Sequence, residues 1–437
     1  MTGIVCSDFL SWRSHCEHRA RTPRRNMPFA TKTPEIDLGV QVTDVLIVGC
    51  GPVGSVCALM LAQAGIDVTV VDRVQEPPMD LRASTIHPPT LEMLDSIGLA
   101  EPLIAQGLKA PVYTFRDRAT DTTFRLDMAE ISDRTRYPFR LQCEQYKLVQ
   151  AATAELEKLS NVTMIFGAEL RSFEQDDARV RATFGSVDGD RIVEARYMIA
   201  ADGASSLVRQ TLGIDFGGFT YPEAYLCYST MLPLEERISG LSLVNYISDP
   251  NEWLVLLRAP SAWRVLLSVD AENDPQEYMS DAFKDAVFRR LLNSDEPVET
   301  VHRTIYRIHQ RVASRFVEGR ICLVGDSAHV NSPIGGYGMN GGIHDAFNLI
   351  DKLRAILLDG GPADLLGLYD RQRRGIAHSF VQAQTMDNTR AMKEGWGSRR
   401  DSQSAGMADV VADPVKRREA LYKQSMFKSL DDEREIA

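Results

Sequence analysis

The stretch from Asp44 to Asp72 restricts the fold more than any other part of the chain. Asp44-Val45-Leu46-Ile47-Val48 is an apolar run of strand length, and Gly49-Cys50-Gly51-Pro52-Val53-Gly54 follows at once. Val56, Leu59, Leu61 and Ala62 then share one face of a helix, with Gly65 placed as its C-terminal cap. Val68-Thr69-Val70-Val71 makes a second strand that ends on Asp72. This is the pattern of a strand, a turn and a helix that bind a dinucleotide. Gly49 permits the tight turn, Gly51 lets backbone approach a pyrophosphate, and Gly54 allows close packing of helix on strand. Pro52 and Val53 open the helix, whose free N–H groups and positive dipole end suit phosphates. Asp72 can accept hydrogen bonds from ribose hydroxyls, and Arg73 beside it joins the candidate set. The unit alone does not separate FAD from NAD.

Two later segments choose FAD. Ile199-Ala200-Ala201-Asp202-Gly203 follows an apolar strand and leads into Ala204-Ser205-Ser206-Leu207-Val208-Arg209. Gly319-Arg320-Ile321-Cys322-Leu323-Val324 is a strand that ends in Gly325-Asp326-Ser327-Ala328-His329. After it come Asn331-Ser332-Pro333-Ile334-Gly335-Gly336-Tyr337-Gly338-Met339-Asn340-Gly341-Gly342 and a helix with Ile343, Phe347, Ile350, Leu353 and Leu357 at helical spacing. A carboxylate beyond a strand end can hold a polyol hydroxyl. A glycine-rich turn lets backbone lie against a flat ring, and the helix after it aims its positive end there. A flavin needs all of these features, whereas a nicotinamide has no use for the polyol acceptor.

Together the segments resemble the dinucleotide fold, the DG motif and the GD motif of the para-hydroxybenzoate hydroxylase family, the class A single-component FAD-dependent aromatic monooxygenases. The resemblance extends from about Val42 to Asp387. It implies that Arg82 lies near the FAD pyrophosphate and that Gln145 contacts the cofactor. Asp326, after Gly325, would hold the ribitol, and Asp202 with Gly203 would lie where flavin and NAD(P)H binding are coupled. Pro333 and the turn through Gly336, Gly338, Met339 and Asn340 would run under the isoalloxazine, with Pro333 and Asn340 as the flavin-positioning pair. Ser327 stands where the family often has alanine, and Tyr337 where it often has glutamine. Arg209 is expected to orient the DG loop, and His329 to support the turn rather than act as a base.

The implied chemistry is reduction of FAD by NADH or NADPH, addition of O2 at flavin C4a as a hydroperoxide, and attack by an electron-rich ring such as a phenolate. The cofactor carries that chemistry while the protein supplies position and dryness, so no side-chain nucleophile is expected. Tyr225, Tyr228, His302 and His309 are candidates to deprotonate a phenol. An FAD oxidase, dehydrogenase or epoxidase on the same scaffold is the alternative enzyme. A flavin-binding sensor or electron carrier is the alternative without turnover.

Composition narrows the partners. A net charge of −11 disfavours nucleic acid. No run approaches the ~18 apolar residues of a membrane span, so no integral membrane association is expected. The seven cysteines are Cys6, Cys16, Cys50, Cys57, Cys143, Cys227 and Cys322. They are scattered, with no CxxC pair, which suggests neither a disulfide framework nor a metal site and fits a reducing, cytoplasmic setting. Disulfide reductases need a second glycine-rich nucleotide fold and a cysteine pair, and related halogenases a paired-tryptophan motif. Trp12, Trp253, Trp263 and Trp396 do not supply the latter. The partners expected are a small aromatic substrate and O2, with a homodimer left open.

The fold class expected is α/β: a Rossmann-like FAD/NAD(P)-binding domain interleaved with a β-sheet substrate domain, plus a helical C-terminal tail. Residues 1–41 are basic and acid-poor and read as a disordered leader, with Met27 as an alternative start and mitochondrial import as a second reading. The FAD domain is assigned to 42–112, 140–215 and 305–385. The substrate domain is assigned to 113–139 and 216–304, where Leu254–Leu257 and Trp263–Val269 read as strands, and the tail to 386–437.

Overall fold

Val45, Leu46, Ile47 and Val48 present no polar side chain to either face of their strand, and all four are buried. Such a strand is stable only in the interior of a sheet covered on both sides. The computed structural model, which describes residues 39–76, 79, 83–249, 251–395 and 406–437, places it so. The leader before residue 39, Met27, Arg82 and Trp396 lie outside the described residues.

The first sheet orders its strands Val317–Glu318, Ile321–Leu323, Gly189–Ala200, Val40–Val48, Val68–Asp72 and Val162–Phe166. From Ile321–Leu323 to Val162–Phe166 every neighbouring pair is parallel. Glu169–Gln175 and Val180–Ser186 add an antiparallel extension. The helix Pro52–Gln63 is buried from Gly54 to Ala62 and packs between the helices Gln145–Leu156 and Tyr337–Asp359. Parallel strands joined through covering helices place the strand ends at one edge, where the loops that bind ligand gather.

The second sheet is mostly antiparallel. Its order is His329–Val330, His302–Ala313, Phe216–Thr230, Trp263–Asp270, Leu254–Arg258, Val244–Ser248, Val112–Asp117 and Thr122–Asp127. Both strands expected near 254 and 263 are therefore present. One face packs with Leu226, Leu256 and Trp263 against the helix Asp281–Leu292. The other gathers Tyr113, Phe115, Tyr225, Tyr246 and Trp253. His302–Ala313 pairs with Phe216–Thr230 along its length and returns the chain to the first sheet.

The tail forms helices Met407–Ala412, Pro414–Gln424 and Phe427–Arg434. Its charge pattern concealed an apolar anchor: Met407, Leu421 and Phe427 complete the core on the aromatic face of the second sheet. Arg417 and Arg418 pair with Glu130 and Asp133, and Glu433 pairs with the buried Arg373. No helix among the described residues is long and apolar enough to cross a membrane.

One expectation is corrected. The glycine-rich turn was expected to run to Gly342, but the helix already begins at Tyr337, so only residues 331–336 form the turn. Gly341 and Gly342 are glycines inside the helix, at positions where a side chain would crowd its neighbours. A Cβ on Gly342 would fall 2.6 Å from Val53 Cγ2, and one on Gly341 3.3 Å from the His329 ring.

Candidate active site

The three sequence signals meet at the end of the first sheet. Gly49 has φ +101°, a conformation that favours glycine, and an added Cβ would lie 2.3 Å from the Ala201 carbonyl oxygen. Asp72 reaches across to the same turn, where its Oδ2 accepts from Cys50 N at 2.6 Å and its Oδ1 from Val74 N at 3.0 Å. Ser327 donates from Oγ to Ala200 O at 2.7 Å, a bond that alanine could not make, while Val324 N donates to the same oxygen at 3.0 Å. Packing of Val53 against Gly325 and Gly342 joins the first helix to the GD turn.

Around this junction the residues fit a dinucleotide. Gly49, Gly51, Pro52 and Val53 are partly open. A Cβ on Gly54 would strike Gly49 O at 2.0 Å, yet one on Gly51 would meet nothing within 4 Å. The fold needs glycine at 49 and 54, but at Gly51 the missing side chain leaves a cradle at a helix N-terminus, suited to a pyrophosphate. Asp202 Oδ2 accepts from Val208 N at 3.2 Å, while its Oδ1 is buried without a partner. Burial pushes this carboxyl above its usual range. Gly203 adjoins open space. Arg73 and Asp326 are exposed at the ends of their strands.

The residues around the turn 331–336 form a second group. Asn340 is fully buried. Its Oδ1 accepts from His87 N at 2.9 Å, and its Nδ2 donates to Thr85 O at 2.9 Å and Gly336 O at 2.6 Å. Gln145 N donates to Ala83 O at 2.9 Å, which brings Gln145 to the segment that follows Arg82. Asn340 therefore acts through the backbone it clamps. Pro333, Gly336, Gly338 and Met339 are partly open around it. Tyr337 is buried, stacks on His87 at 5.4 Å and donates its hydroxyl to Gln424 O at 3.2 Å.

Beneath the turn lies a charge network that sequence reasoning missed. Asp345 accepts from Gly325 N at 3.0 Å, from Arg373 Nε at 2.7 Å, and bonds His329 Nε2 at 2.8 Å. Burial would raise this carboxyl, but the neighbouring His329 and Arg373 outweigh it and hold it low. His329 is thus a support, stacked on Phe316. Arg209 is another, donating to Ser327 O and Ala204 O, each at 2.8 Å. Arg373 lies 28 residues beyond Asp345 and belongs to no motif, so only the fold could pair them.

The four deprotonation candidates separate. Tyr225 bonds Ser332, next to Pro333, at 3.3 Å. Burial pushes its hydroxyl up to about 12, so at neutral pH it keeps its proton and does not serve as a base. Tyr228 packs on the opposite face and donates to Tyr278 O. His302 and His309 are exposed, and His309 bonds Thr220 Oγ1. Where the turn meets the second sheet, Phe115, Arg140, Tyr246, Ile334, Gly335 and Gln424 line a cavity of about 10 Å³. That is room for about one water.

A family model described as FAD binding domain matches residues 42–384. The chain is 33% identical over 347 residues to the 6-hydroxy-3-succinoylpyridine 3-monooxygenase of Pseudomonas putida, covering 79% of this chain and 88% of that one. It is 31% identical over 382 residues to the para-nitrophenol 4-monooxygenase of a Pseudomonas species, covering 86% and 94%. The fold matches the crystal structure of p-nitrophenol 4-monooxygenase from Pseudomonas putida with a TM-score of 0.82 at 28% identity, over 89% of this chain and 98% of that one.

Proposed function

The chain belongs to the FAD binding domain family, among the para-hydroxybenzoate hydroxylase-like flavoprotein monooxygenases, and from that premise we propose that it hydroxylates a small electron-rich aromatic substrate. NADH or NADPH is the reductant and O2 the source of the new oxygen. The observation that carries this reading is the junction at residues 333–336. The turn links the Gly325-Asp326 segment to the helix Tyr337–Asp359, and its Ile334 and Gly335 border a cavity whose walls include Phe115 and Tyr246 of the second sheet.

FAD, when bound, supplies the redox chemistry and the activation of O2. The protein's part is placement. Gly51, Pro52 and Val53 would receive the pyrophosphate, and Asp72 the ribose. Asp326 would take the ribitol, with Gln145 and Arg82 alongside. The orphaned Oδ1 of Asp202 would accept a hydrogen bond from cofactor or nicotinamide. Asn340 fixes the turn that carries Pro333 and Gly336, and small displacements are costly in positioned chemistry. The aromatic face of the second sheet and the tail helices exclude water from the substrate side. Tyr225, held protonated, is suited to donate a hydrogen bond near Pro333. A reducing, cytoplasmic setting is part of the reading, supported by free buried Cys50, Cys57, Cys143, Cys227 and Cys322.

The test is a screen of phenols and N-heteroaromatics against the FAD-loaded chain. At least one compound is expected to accelerate NAD(P)H oxidation tenfold or more and to be hydroxylated, an increase of the size that correct positioning of reactants supplies. Oxidation of NAD(P)H at one slow rate with every aromatic compound would overturn the reading.

A further inference from the structure

Glu433, near the end of the tail helix Phe427–Arg434, turns its side chain inward: it is 14% exposed, and its two oxygens meet two other helices. Oε2 pairs with Arg373 Nη1 of Leu365–Ile376, and Oε1 accepts from Asn348 Nδ2 of Tyr337–Asp359. The acids beside it stay within the tail, Asp431 with Tyr422 and Asp432 with Lys428. From Arg373 the path to the GD turn is short. Arg373 is 1% exposed and donates from Nε to Asp345 Oδ1 at 2.7 Å and from Nη2 to Gly341 O at 3.2 Å. Asp345 in turn accepts from Gly325 N through Oδ2 at 3.0 Å. Gly325 has φ +59°, a conformation that favours glycine, and Asp326 follows it. The bond to Asp345 therefore holds the backbone that presents Asp326.

Arg373 is a cation shared between an anion on the tail and an anion under the turn. Burial would lower its guanidinium, but Glu433, and then Asp345, outweigh it and hold it above its usual range. Removing one partner from a buried ion pair is strongly destabilising, because the other charge is left without its counterpart. Without the charge of Glu433, Asp345 is the one carboxylate left beside Arg373 among the described residues. A guanidinium facing a single carboxylate takes both of its oxygens in a parallel pair of bonds. Oδ2 of Asp345 would then turn to Arg373 and release Gly325 N.

We propose that Glu433 is a positioning residue for FAD: acting through Arg373 and Asp345, it fixes the Gly325-Asp326 turn, so that docking of the helix Phe427–Arg434 and binding of FAD stabilise each other. The inference rests on Asp326 as the ribitol acceptor and gives that residue a supporting partner in the tail. Coupling of this kind is reciprocal, so each event favours the other by the same factor.

The experiment compares the full chain with FAD and after its removal, in the native sequence, Glu433→Gln and Asp432→Asn. Glutamine keeps an oxygen for Asn348 and removes the charge. Titration with FAD, followed by its fluorescence, is expected to show binding weakened about 10- to 100-fold in Glu433→Gln, within the range of coupling between two sites. Binding should be unchanged in Asp432→Asn, whose side chain pairs with Lys428 at the surface. Hydrogen exchange read on peptides from Phe427–Arg434 gives the reciprocal effect. In the native chain FAD should slow that exchange by a similar factor, and in Glu433→Gln the factor should shrink toward one. A merely structural Glu433 would lower the melting temperature equally with and without FAD and leave FAD affinity unmoved. Unchanged FAD affinity in Glu433→Gln overturns the proposal, and so does exchange in the native helix that is indifferent to FAD. Should Glu433→Gln fail to fold, the native exchange comparison decides. Loss of FAD from Asp326→Ala beside full retention in Glu433→Gln would overturn the role of Glu433 while leaving the ribitol reading intact, and full retention in both would overturn the two together.

Discussion

Gly51→Val is expected to give a folded chain that purifies almost free of FAD, while Gly54→Val gives little folded protein. The two positions lie three residues apart in the same turn, and their surroundings are opposite. At Gly54 a Cβ would overlap the Gly49 carbonyl at 2.0 Å, in contact with backbone that cannot move without dismantling the turn. At Gly51 nothing lies within 4 Å, and the backbone has φ −73° and ψ −171°, which any residue adopts. Valine there strains nothing in the protein and instead fills the cradle at the start of Pro52–Gln63. The FAD affinity of Gly51→Val should fall at least tenfold, because a branched side chain would occupy the space where phosphate oxygens meet the helix N-terminus. The check is flavin absorbance per chain after purification, beside the melting temperature. Full FAD stoichiometry in Gly51→Val would show that the cradle holds no pyrophosphate.

Asn340→Ala should have the other large effect, on the fate of reducing equivalents rather than on FAD content. The substitution leaves His87 N–H, Thr85 O and Gly336 O without the side chain that joins them. Loss of this buried clamp should cost about 2–4 kcal/mol of stability, since each backbone group loses a partner in a dry place. The turn at 333–336 would then hold its ligands loosely, and hydroxylation requires close placement. Asn340→Ala is expected to keep most of its FAD, oxidise NAD(P)H, and release more H2O2 at the expense of product. Asp326→Ala is expected to weaken FAD binding chiefly, since its proposed partner is the ribitol. Product formed per NAD(P)H consumed, measured beside peroxide yield in both variants, separates the effects. Full coupling in Asn340→Ala would remove Asn340 from the positioning machinery.

The nucleotide end of the molecule was readable because its requirements are local. A strand, Gly49-Cys50-Gly51-Pro52-Val53-Gly54, a helix and Asp72 lie within 29 residues, and each answers a backbone or phosphate constraint that leaves a mark on residue type. The places of Asp202 and Asp326, just past the strands Gly189–Ala200 and Ile321–Leu323, were legible for the same local reason. The helix start at Tyr337 was misplaced because Gly341 and Gly342 read as turn residues. Their role, close contact with His329, Val53 and Gly325, is visible only once the helix is packed. The cavity beside the turn left no such mark. Arg140, Tyr246 and Gln424 come from distant parts of the chain, and each alone resembles an ordinary core or surface residue. Even the tail, charged along its length, hides its function in Leu421, Phe427 and the Gln424 that closes the cavity. Where side chains are brought together over more than a hundred residues, as Arg140 and Tyr246 are, single-sequence pattern has nothing periodic to report.

Oxygen labelling tests the central claim most directly. With an aromatic compound found to stimulate NAD(P)H oxidation, the reaction is run once under isotopically labelled O2 in ordinary water and once under ordinary O2 in labelled water. A flavin monooxygenase places one atom of O2 in the new hydroxyl and the other in water, so the product should carry the label from O2 and none from solvent. Label from water in the product, or loss of label from O2 without uptake into product while hydroxylation proceeds, would contradict the account.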